Sequence, residues 1–140
     1  MVRFKSRYLL FEVLYPQDKQ FHEHSTIPSD ESITSSSLSK LLRNTIAENF
    51  GDVGIGKVAS SLSVKYFSPS TSTGILRVSR QHIRLAWAAL CFLRELNGKP
   101  IVVRVVRVSG TIKKAELAAI DRNTTDIRLL SNLNDIVQNA

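Results

Sequence analysis

The stretch from Lys99 to Lys114 places the strongest constraint on the fold, because it has the composition of a buried strand and yet carries several cations. Seven of its residues are both β-branched and apolar, which is typical of a strand buried on at least one face. Arg104, Arg107, Lys113 and Lys114 are distributed through it without any acid. We therefore expect this stretch to contribute both to the core and to a binding surface.

The positive charge of the chain is concentrated around this strand. The 140 residues carry a net charge of +7. Residues 57–114 contain eleven Lys and Arg residues against one acid, Glu95, a net charge of +10 that leaves −3 for the remainder. Such asymmetry is typical of proteins that bind a polyanion, most often nucleic acid. A solvated charged surface is the alternative interpretation.

Hydrophobic periodicity predicts alternating strands and helices in a single domain that spans residues 1–140. The predicted order is strand 8–13, helix 36–50, strand 57–66, strand 75–79, helix 80–96, strand 101–109 and helix 113–122. This is the split βαβ order, also called ferredoxin-like or RRM-like. We predict an α+β sandwich with a four-stranded antiparallel sheet, two main helices on one face and a short C-terminal helical extension. Residues 15–37, rich in Ser and Thr, are predicted to form a surface loop.

The predicted helix ends and strand faces carry specific expectations. Gly51 is interpreted as the end of the first helix, and Asn97-Gly98 as the end of the second. Arg104 and Arg107 are three residues apart, so a regular strand would direct them to opposite faces of the sheet. RNA-recognition modules of this shape stack bases on aromatic residues of the central strands. Strand 75–79 has no aromatic residue, so that mode is not expected, and the C-terminal helix is a candidate cover for the sheet.

The second helix is more apolar than one sheet face requires. Leu85, Ala89 and Phe92 form one apolar stripe at helical spacing, beside a second stripe of apolar residues. The additional stripe either covers the first helix or meets a partner protein. Trp87 lies among arginines and is interpreted first as ordinary packing, with a cation–π stack or a base platform as the alternatives.

Residues suited to catalysis are scattered. No pair of acids can be assigned as general acid and base, and the glycines at 51, 54 and 56 are not followed by the Lys-Ser/Thr of a phosphate loop. Cys91 is predicted to be a structural thiol within a helix. We therefore expect the chain not to be an enzyme by itself, and we expect no metal or cofactor on the protein and no membrane span.

Several motifs in sequence order resemble one protein family. They are Met1 to Leu10, Leu41 to Ala47, Thr73-Gly74-Ile75, Trp87 to Leu90 and Ser109 to Lys113. They are similar to landmarks of the "processing of precursor, number five" type of protein subunit of eukaryotic ribonuclease P and ribonuclease MRP. The resemblance covers about residues 1 to 125, with residues 15–37 as the variable loop.

The resemblance implies a non-catalytic RNA-binding subunit that supports the catalytic RNA in removal of the 5′ leader of precursor tRNA and in precursor rRNA processing. It implies three partners: the ribonuclease P/MRP RNA, a TIM-barrel-like protein subunit and a second small α/β subunit. Magnesium would lie on the RNA, and the particle would be nuclear, chiefly nucleolar. The alternative is a split βαβ interaction module that binds an acidic partner.

We map the expected contacts onto four groups of residues: the amino-terminal arm, the exit of the last strand, five further arginines and a protein interface on the second helix. Arg3, Lys5 and Arg7 alternate along the amino-terminal arm and would face one side if extended. Gly110 and Thr111 offer backbone amides at the exit of the last strand, next to two lysines. The predicted RNA-binding residues are Arg3, Lys5, Arg7, Arg77, Arg80, Arg84, Arg104, Arg107, Gly110, Thr111, Lys113 and Lys114. The predicted protein interface is Leu85, Ala89 and Phe92.

Overall fold

The fold is an α+β sandwich, as predicted. The computed structural model describes residues 5–17, 28–122 and 124. The elements run β1 (Ser6–Leu14), α1 (Ser35–Val58), β2 (Ser63–Ser68), β3 (Thr73–Ser79), a 3₁₀ turn (Arg80–His82), α2 (Ile83–Phe92), β4 (Glu95–Leu96), β5 (Lys99–Pro100), β6 (Val102–Ser109) and α3 (residues 112–122).

The main sheet has four antiparallel strands in the order β2-β3-β1-β6. Strand β1 pairs with β3 on one side and with β6 on the other, so it occupies the centre of the sheet. Its side chains alternate, and residues 9 to 13 are all at most 1% exposed, which means that both faces of the sheet are covered at this point. This arrangement explains why the run Leu9 to Val13 is apolar on both faces except at Glu12.

The first face of the sheet packs against α1 and α2. Leu9, Phe11 and Val13 of β1 lie in one continuous core with Leu42 of α1 and Leu90 of α2. Burial of a side chain of this size contributes about 1.5 to 3 kcal/mol. Leu38, Leu42 and Ile46, which recur at helical spacing on α1, are therefore the residues that pack this helix against the sheet.

The second face of the sheet is covered by α3, the predicted C-terminal extension. Leu10 of β1 and Ile75 of β3 contact Ala115, Ala118 and Ala119 of the helix. Small side chains let the helix backbone approach the sheet closely. The face that RNA-recognition modules leave open for bases is thus occupied in this chain.

An ion-pair network joins α3 to the sheet. Glu12, on the α3 face of β1, is only 1% exposed, and its Oε2 lies 2.7 Å from Nη2 of Arg104. Its Oε1 accepts a hydrogen bond from Nε of Arg122 near the end of α3, and Arg122 Nη2 lies 3.2 Å from Oε2. A buried carboxylate of this kind requires such partners. The network therefore fixes the part of α3 around Arg122 over the sheet.

Two helix ends differ from the prediction. Gly51 has φ 69° and ψ −169°, a left-handed φ that glycine adopts without steric cost. It interrupts α1 without ending it, and helical structure resumes as far as Val58. Helix α2 ends at Phe92, and Asn97 and Gly98 have φ of 51° and 78°. Both positive angles suit a type I′ turn, so the pair joins the β4–β5 hairpin and is not a helix cap.

Two β-bulges also change the predicted faces. In β6 the register moves from Leu10 opposite Arg107 to Phe11 opposite Val105 and Glu12 opposite Arg104. Because Leu10 and Glu12 lie on the same face of β1, the bulge directs Arg104 and Arg107 to the same face, and the prediction of opposite faces was wrong. In β2 a second bulge pairs Tyr66 with Ile75 and so places Tyr66 on the face opposite Val64.

The ends of the predicted loop at 15–37 are fixed to the sheet. The hydroxyl of Tyr15 lies 2.6 Å from the Ser29 hydroxyl, which lies 2.6 Å from that of Ser72. Helix α1 begins inside the predicted loop, and Thr34 caps it through a hydrogen bond from the Ser37 amide at 3.2 Å. Residues 18–27 lie outside the described residues. Within the described part of the chain, no helix has the length and hydropathy needed to cross a membrane.

Candidate nucleic-acid interface

A cleft of about 760 Å³ opens at the end of the sheet where β1 begins and β3 ends. Its charged lining consists of Lys5, Lys57, Arg77 and Arg80, with His82 beside them. Among the described residues that line the cleft, none is acidic. We call this the basic cleft. Four cations with no internal counter-charge create a local positive potential that favours an anionic ligand.

The cations of the basic cleft are brought together by sheet pairing. Ser6 lies opposite Ser79 in the β1–β3 register, and the Arg80 amide donates to the Lys5 carbonyl at 2.8 Å. The Arg77 Nε donates to the Ser6 hydroxyl at 3.2 Å, which holds the guanidinium group of Arg77 next to β1. Residues more than seventy positions apart therefore form one surface whose geometry is set before any ligand arrives.

Lys57 and two serines complete the basic cleft from the other side. Lys57 lies in the last turn of α1, and Ser60 and Ser61 follow the helix. The Ser61 hydroxyl oxygen is buried and has no hydrogen-bond partner among the described residues. A buried hydroxyl without a partner is costly.

The structure brings together Lys5 and two of the arginines predicted from sequence, Arg77 and Arg80. Arg7 lies outside the basic cleft, and its Nη1 donates to the Ser6 carbonyl at 2.9 Å. Arg3, also predicted, lies outside the described residues. The prediction that Arg3, Lys5 and Arg7 act as one arm therefore stays untested.

The predicted strand exit lies at the same end of the sheet. Tyr8 is paired with Arg77 on one side and with Ser109 on the other, and strands lie about 4.8 Å apart, so the outer two Cα atoms are separated by about 10 Å. The segment with Gly110, Thr111, Lys113 and Lys114 follows at once and is exposed. The Thr111 hydroxyl accepts the Lys114 amide at 3.3 Å and so helps to begin α3.

The other predicted arginines have different surroundings. Arg104 is paired with Glu12, which offsets its charge. Arg107 is exposed on the same face of the sheet. Arg84 is exposed at the start of α2 and lines a groove next to the basic cleft. Of these three arginines, only Arg84 and Arg107 make no contact with an acid among the described residues.

The basic cleft also contains residues that the sequence interpretation missed. Lys57 was placed on a predicted strand, whereas it lies near the end of α1 after the Gly51 kink. No role was predicted for His82, which lies with Lys57 in the cleft lining. The signal available in the sequence was the excess of positive charge that begins at residue 57, which indicated the region but not the residues.

The predicted protein interface is only partly accessible. Ala89 is 0% exposed and belongs to the core, so the expectation that its side chain meets a partner was wrong. Leu85 is half-buried against that core, whereas Phe92 is 45% exposed. Trp87, which is 41% exposed, lies on the same helix. Leu85 and Ala89 therefore pack largely inside the fold, and Phe92 is the member of this stripe that stays exposed.

Metal-ligating groups are dispersed in the described part of the chain. No group of three or more His, Cys, Asp or Glu side chains there is placed to hold a metal ion. Cys91 is exposed as a free thiol on α2.

Comparison with known proteins agrees with the resemblance seen in the motifs. The chain is 72% identical over 138 residues to ribonuclease P/MRP protein subunit POP5 of Schizosaccharomyces pombe, covering 99% of each chain. It is 37% identical to the protein of that name from Saccharomyces cerevisiae, covering 93% of this chain and 82% of the relative. A chain in the cryo-EM structure of yeast ribonuclease MRP has the same fold, with a TM-score of 0.53, 13% identity and 97% coverage of both chains. The model of the Rpp14/Pop5 family matches residues 7–120, and the chain belongs to this family.

Proposed function

We propose that this chain is a non-catalytic RNA-binding protein subunit of ribonuclease P and ribonuclease MRP. In this role it supports the catalytic RNA in removal of the 5′ leader of precursor tRNA and in precursor rRNA processing. The observation that carries the proposal is a basic cleft whose described lining residues include no acid on a chain of this family. Named relatives that are similar over nearly the whole chain support it.

The cations of the basic cleft would contact the phosphate backbone of the RNA. Lys5, Lys57, Arg77 and Arg80 come from separate elements that sheet and helix packing hold in place. Phosphate contacts of this kind fix the register of the protein on the RNA and carry no base sequence. Their binding energy comes largely from counterion release and falls as salt rises. The protein would thus stabilise a particular RNA shape without reading its sequence.

We further propose that the magnesium of the particle is held by the RNA and not by this subunit. Lysine and arginine side chains repel a divalent cation, whereas Mg²⁺ prefers carboxylate and phosphate oxygens. The protein would instead neutralise phosphates around the RNA site, so that RNA segments can approach each other. Cleavage chemistry would then belong to the RNA, in keeping with the scattered acids of the sequence.

Two protein partners follow from the family resemblance, a TIM-barrel-like subunit and a second small α/β subunit. The exposed aromatic residues of α2, Trp87 and Phe92, are suited to such an interface, because aromatic side chains are enriched at protein contacts. The assembled particle would be nuclear, chiefly nucleolar. The basic end of the sheet would remain turned toward RNA.

The test is affinity purification of the tagged full chain from its own cells, followed by sequencing of the RNA that co-purifies. Enrichment of the ribonuclease P and MRP RNAs is expected. The same purification with Lys57→Gln and Arg80→Gln together should recover less of both RNAs at raised salt. Recovery of protein partners without any enriched RNA would refute the proposal and favour an interaction module that binds an acidic protein.

A further inference from the structure

A groove of about 310 Å³ continues from the basic cleft along the surface between α1 and α2. Its apolar lining is Phe50 and Val53 of α1 and Leu85 of α2. The groove and the basic cleft share Lys57, Gln81 and His82. A single depression therefore changes from cationic at one end to apolar at the other, and we call this second part the apolar groove.

The segment of α1 on either side of the Gly51 kink lines the groove. Val53, two residues later, is 73% exposed although it is apolar. Phe50 is half-buried, and the centroid of its ring lies 5.7 Å from the centroid of the Phe92 ring at an interplanar angle of 56°. A Cβ at Gly54 would meet the Cβ of Phe50 at 2.5 Å, so the glycine allows this close approach. The fold thus leaves apolar and aromatic surface next to a concentration of positive charge.

The lining of the apolar groove also favours a nucleic acid over a protein side chain. Among the described residues that line it, none is acidic, and Lys57 and Arg84 contribute two cations to the lining. Gln81 and His82 provide polar side chains at the junction with the basic cleft. Sites for small ligand groups commonly combine apolar side chains with a few polar groups, and the lining of the apolar groove has both.

We infer that the apolar groove holds the base of an unpaired RNA nucleotide whose phosphate lies in the basic cleft. One sugar joins the phosphate and the base of a nucleotide, so the two groups lie next to each other. The basic cleft and the apolar groove also adjoin, and each has the lining that suits one of these groups. Unpaired bases in loops and bulges can leave the stack and pack on aromatic side chains, and here Phe50 offers the ring. The inference rests on the proposed function and adds to it a preference for RNA with an extruded base.

The test measures binding of the full chain to three short RNA hairpins by fluorescence anisotropy. One hairpin carries a single bulged adenosine, the second carries an abasic nucleotide at the same position, and the third is fully paired. Stacking of one base on an aromatic side chain is worth about fivefold or more in affinity. The bulged hairpin is therefore expected to bind at least about fivefold more tightly than the other two, which should bind alike.

Two substitutions locate the effect on the protein. Phe50→Leu keeps an apolar side chain against Phe92 but removes the ring, and Val53→Ser changes a side chain that is 73% exposed. Each should reduce the preference for the bulged adenosine and leave affinity for the paired hairpin unchanged. Leu117→Ala, at a residue of α3 that is 52% exposed, is the matched control and should preserve the preference. Melting temperatures check that all three variants fold.

The outcomes separate this inference from the proposed function. Equal, salt-dependent binding of the three hairpins overturns the nucleotide site but leaves the RNA-binding role intact. A preference that survives both Phe50→Leu and Val53→Ser places the base elsewhere and also overturns it. If the preference is absent and Val53→Ser instead weakens assembly with the purified protein subunits, the groove is a protein-docking surface. Failure to bind any hairpin refutes the proposed function itself.

Discussion

Replacement of Glu12 by alanine should destabilise the protein by about 3 kcal/mol, because it removes two ionic contacts, one to Arg104 of β6 and one to Arg122 of α3. A hydrogen bond to a charged group contributes about 1.5 to 3 kcal/mol. Glu12 is 1% exposed, whereas the side chains of Arg104 and Arg122 are 41% and 32% exposed and regain hydration when the carboxylate is lost. We therefore take the lower end of the range for each contact.

The assay is urea unfolding of the full chain followed by far-UV circular dichroism, with thermal unfolding in parallel. For a chain of this size a loss of about 3 kcal/mol lowers the melting temperature by roughly 10 °C. Glu12→Gln keeps an oxygen acceptor without the charge and should lose about half as much. The double variant Glu12→Gln/Arg122→Gln should be less destabilised than the sum of its single changes.

The control is Glu116→Ala, since Glu116 is exposed on α3. A surface change of this type lies within about 0.5 kcal/mol of zero. If Glu12→Ala is no more destabilising than Glu116→Ala, the ionic network does not hold α3 on the sheet. Additive free energies for the double variant would also refute the coupling of Glu12 to Arg122.

Three further changes test the packing, capping and burial that hold the sheet. Gly74→Ala should cost about 2 to 3 kcal/mol in urea unfolding, because its Cβ would lie 2.4 Å from Cζ of the buried Phe11 ring. Thr34→Ala removes the cap of α1 and should cost about 1 kcal/mol by the same assay. Burial raises the pKa of Tyr15 above its usual value, so the folded chain retains that proton where the unfolded chain loses it. Stability should fall as pH rises above about 10, and Tyr15→Phe should remove that dependence in unfolding curves measured across this range.

The order of strands and helices was predictable, since it depends on local periodicity. The apolar run at residues 8–13 and the helical repeat at residues 38, 42 and 46 both mark side chains that do lie in the core. That a helix covers the second face of the sheet could also be predicted, because strand 75–79 lacked aromatic residues and an Ala-rich helix followed the last strand. These signals are carried by neighbouring residues and need no knowledge of tertiary contacts.

Element ends were less predictable, because one signal fits two structures. Glycine after a helix repeat suits both a helix end and a kink, and at Gly51 packing of residues 54 and 58 in the core favours the kink. Asn-Gly suits a helix cap as well as a type I′ hairpin turn. At Asn97 the hairpin forms, and Ile101 beyond it is buried in the core.

The positive charge of the candidate site could be predicted from the sequence, but the residues that form the site could not. Lys5, Arg77 and Arg80 were identified as cations, and their convergence depends on the β1–β3 register. Lys57 reaches the same cleft only because α1 continues beyond Gly51. Bulges likewise move side chains between faces, as at Arg107, and no local composition signals them. Tertiary geometry therefore decides which of many cations act together.

The salt dependence of RNA binding tests the central claim most directly. The affinity of the full chain for a short RNA hairpin should fall steeply with salt, and the slope of log affinity against log salt reports the number of phosphates contacted. The triple variant Lys57→Gln/Arg77→Gln/Arg80→Gln should reduce the slope by about 2 to 3 units, at about 0.7 to 0.9 per contact. Lys40→Gln/Lys65→Gln, at exposed residues outside the basic cleft, should leave it unchanged. An identical slope for the wild type and the triple variant would contradict the assignment of RNA binding to the basic cleft.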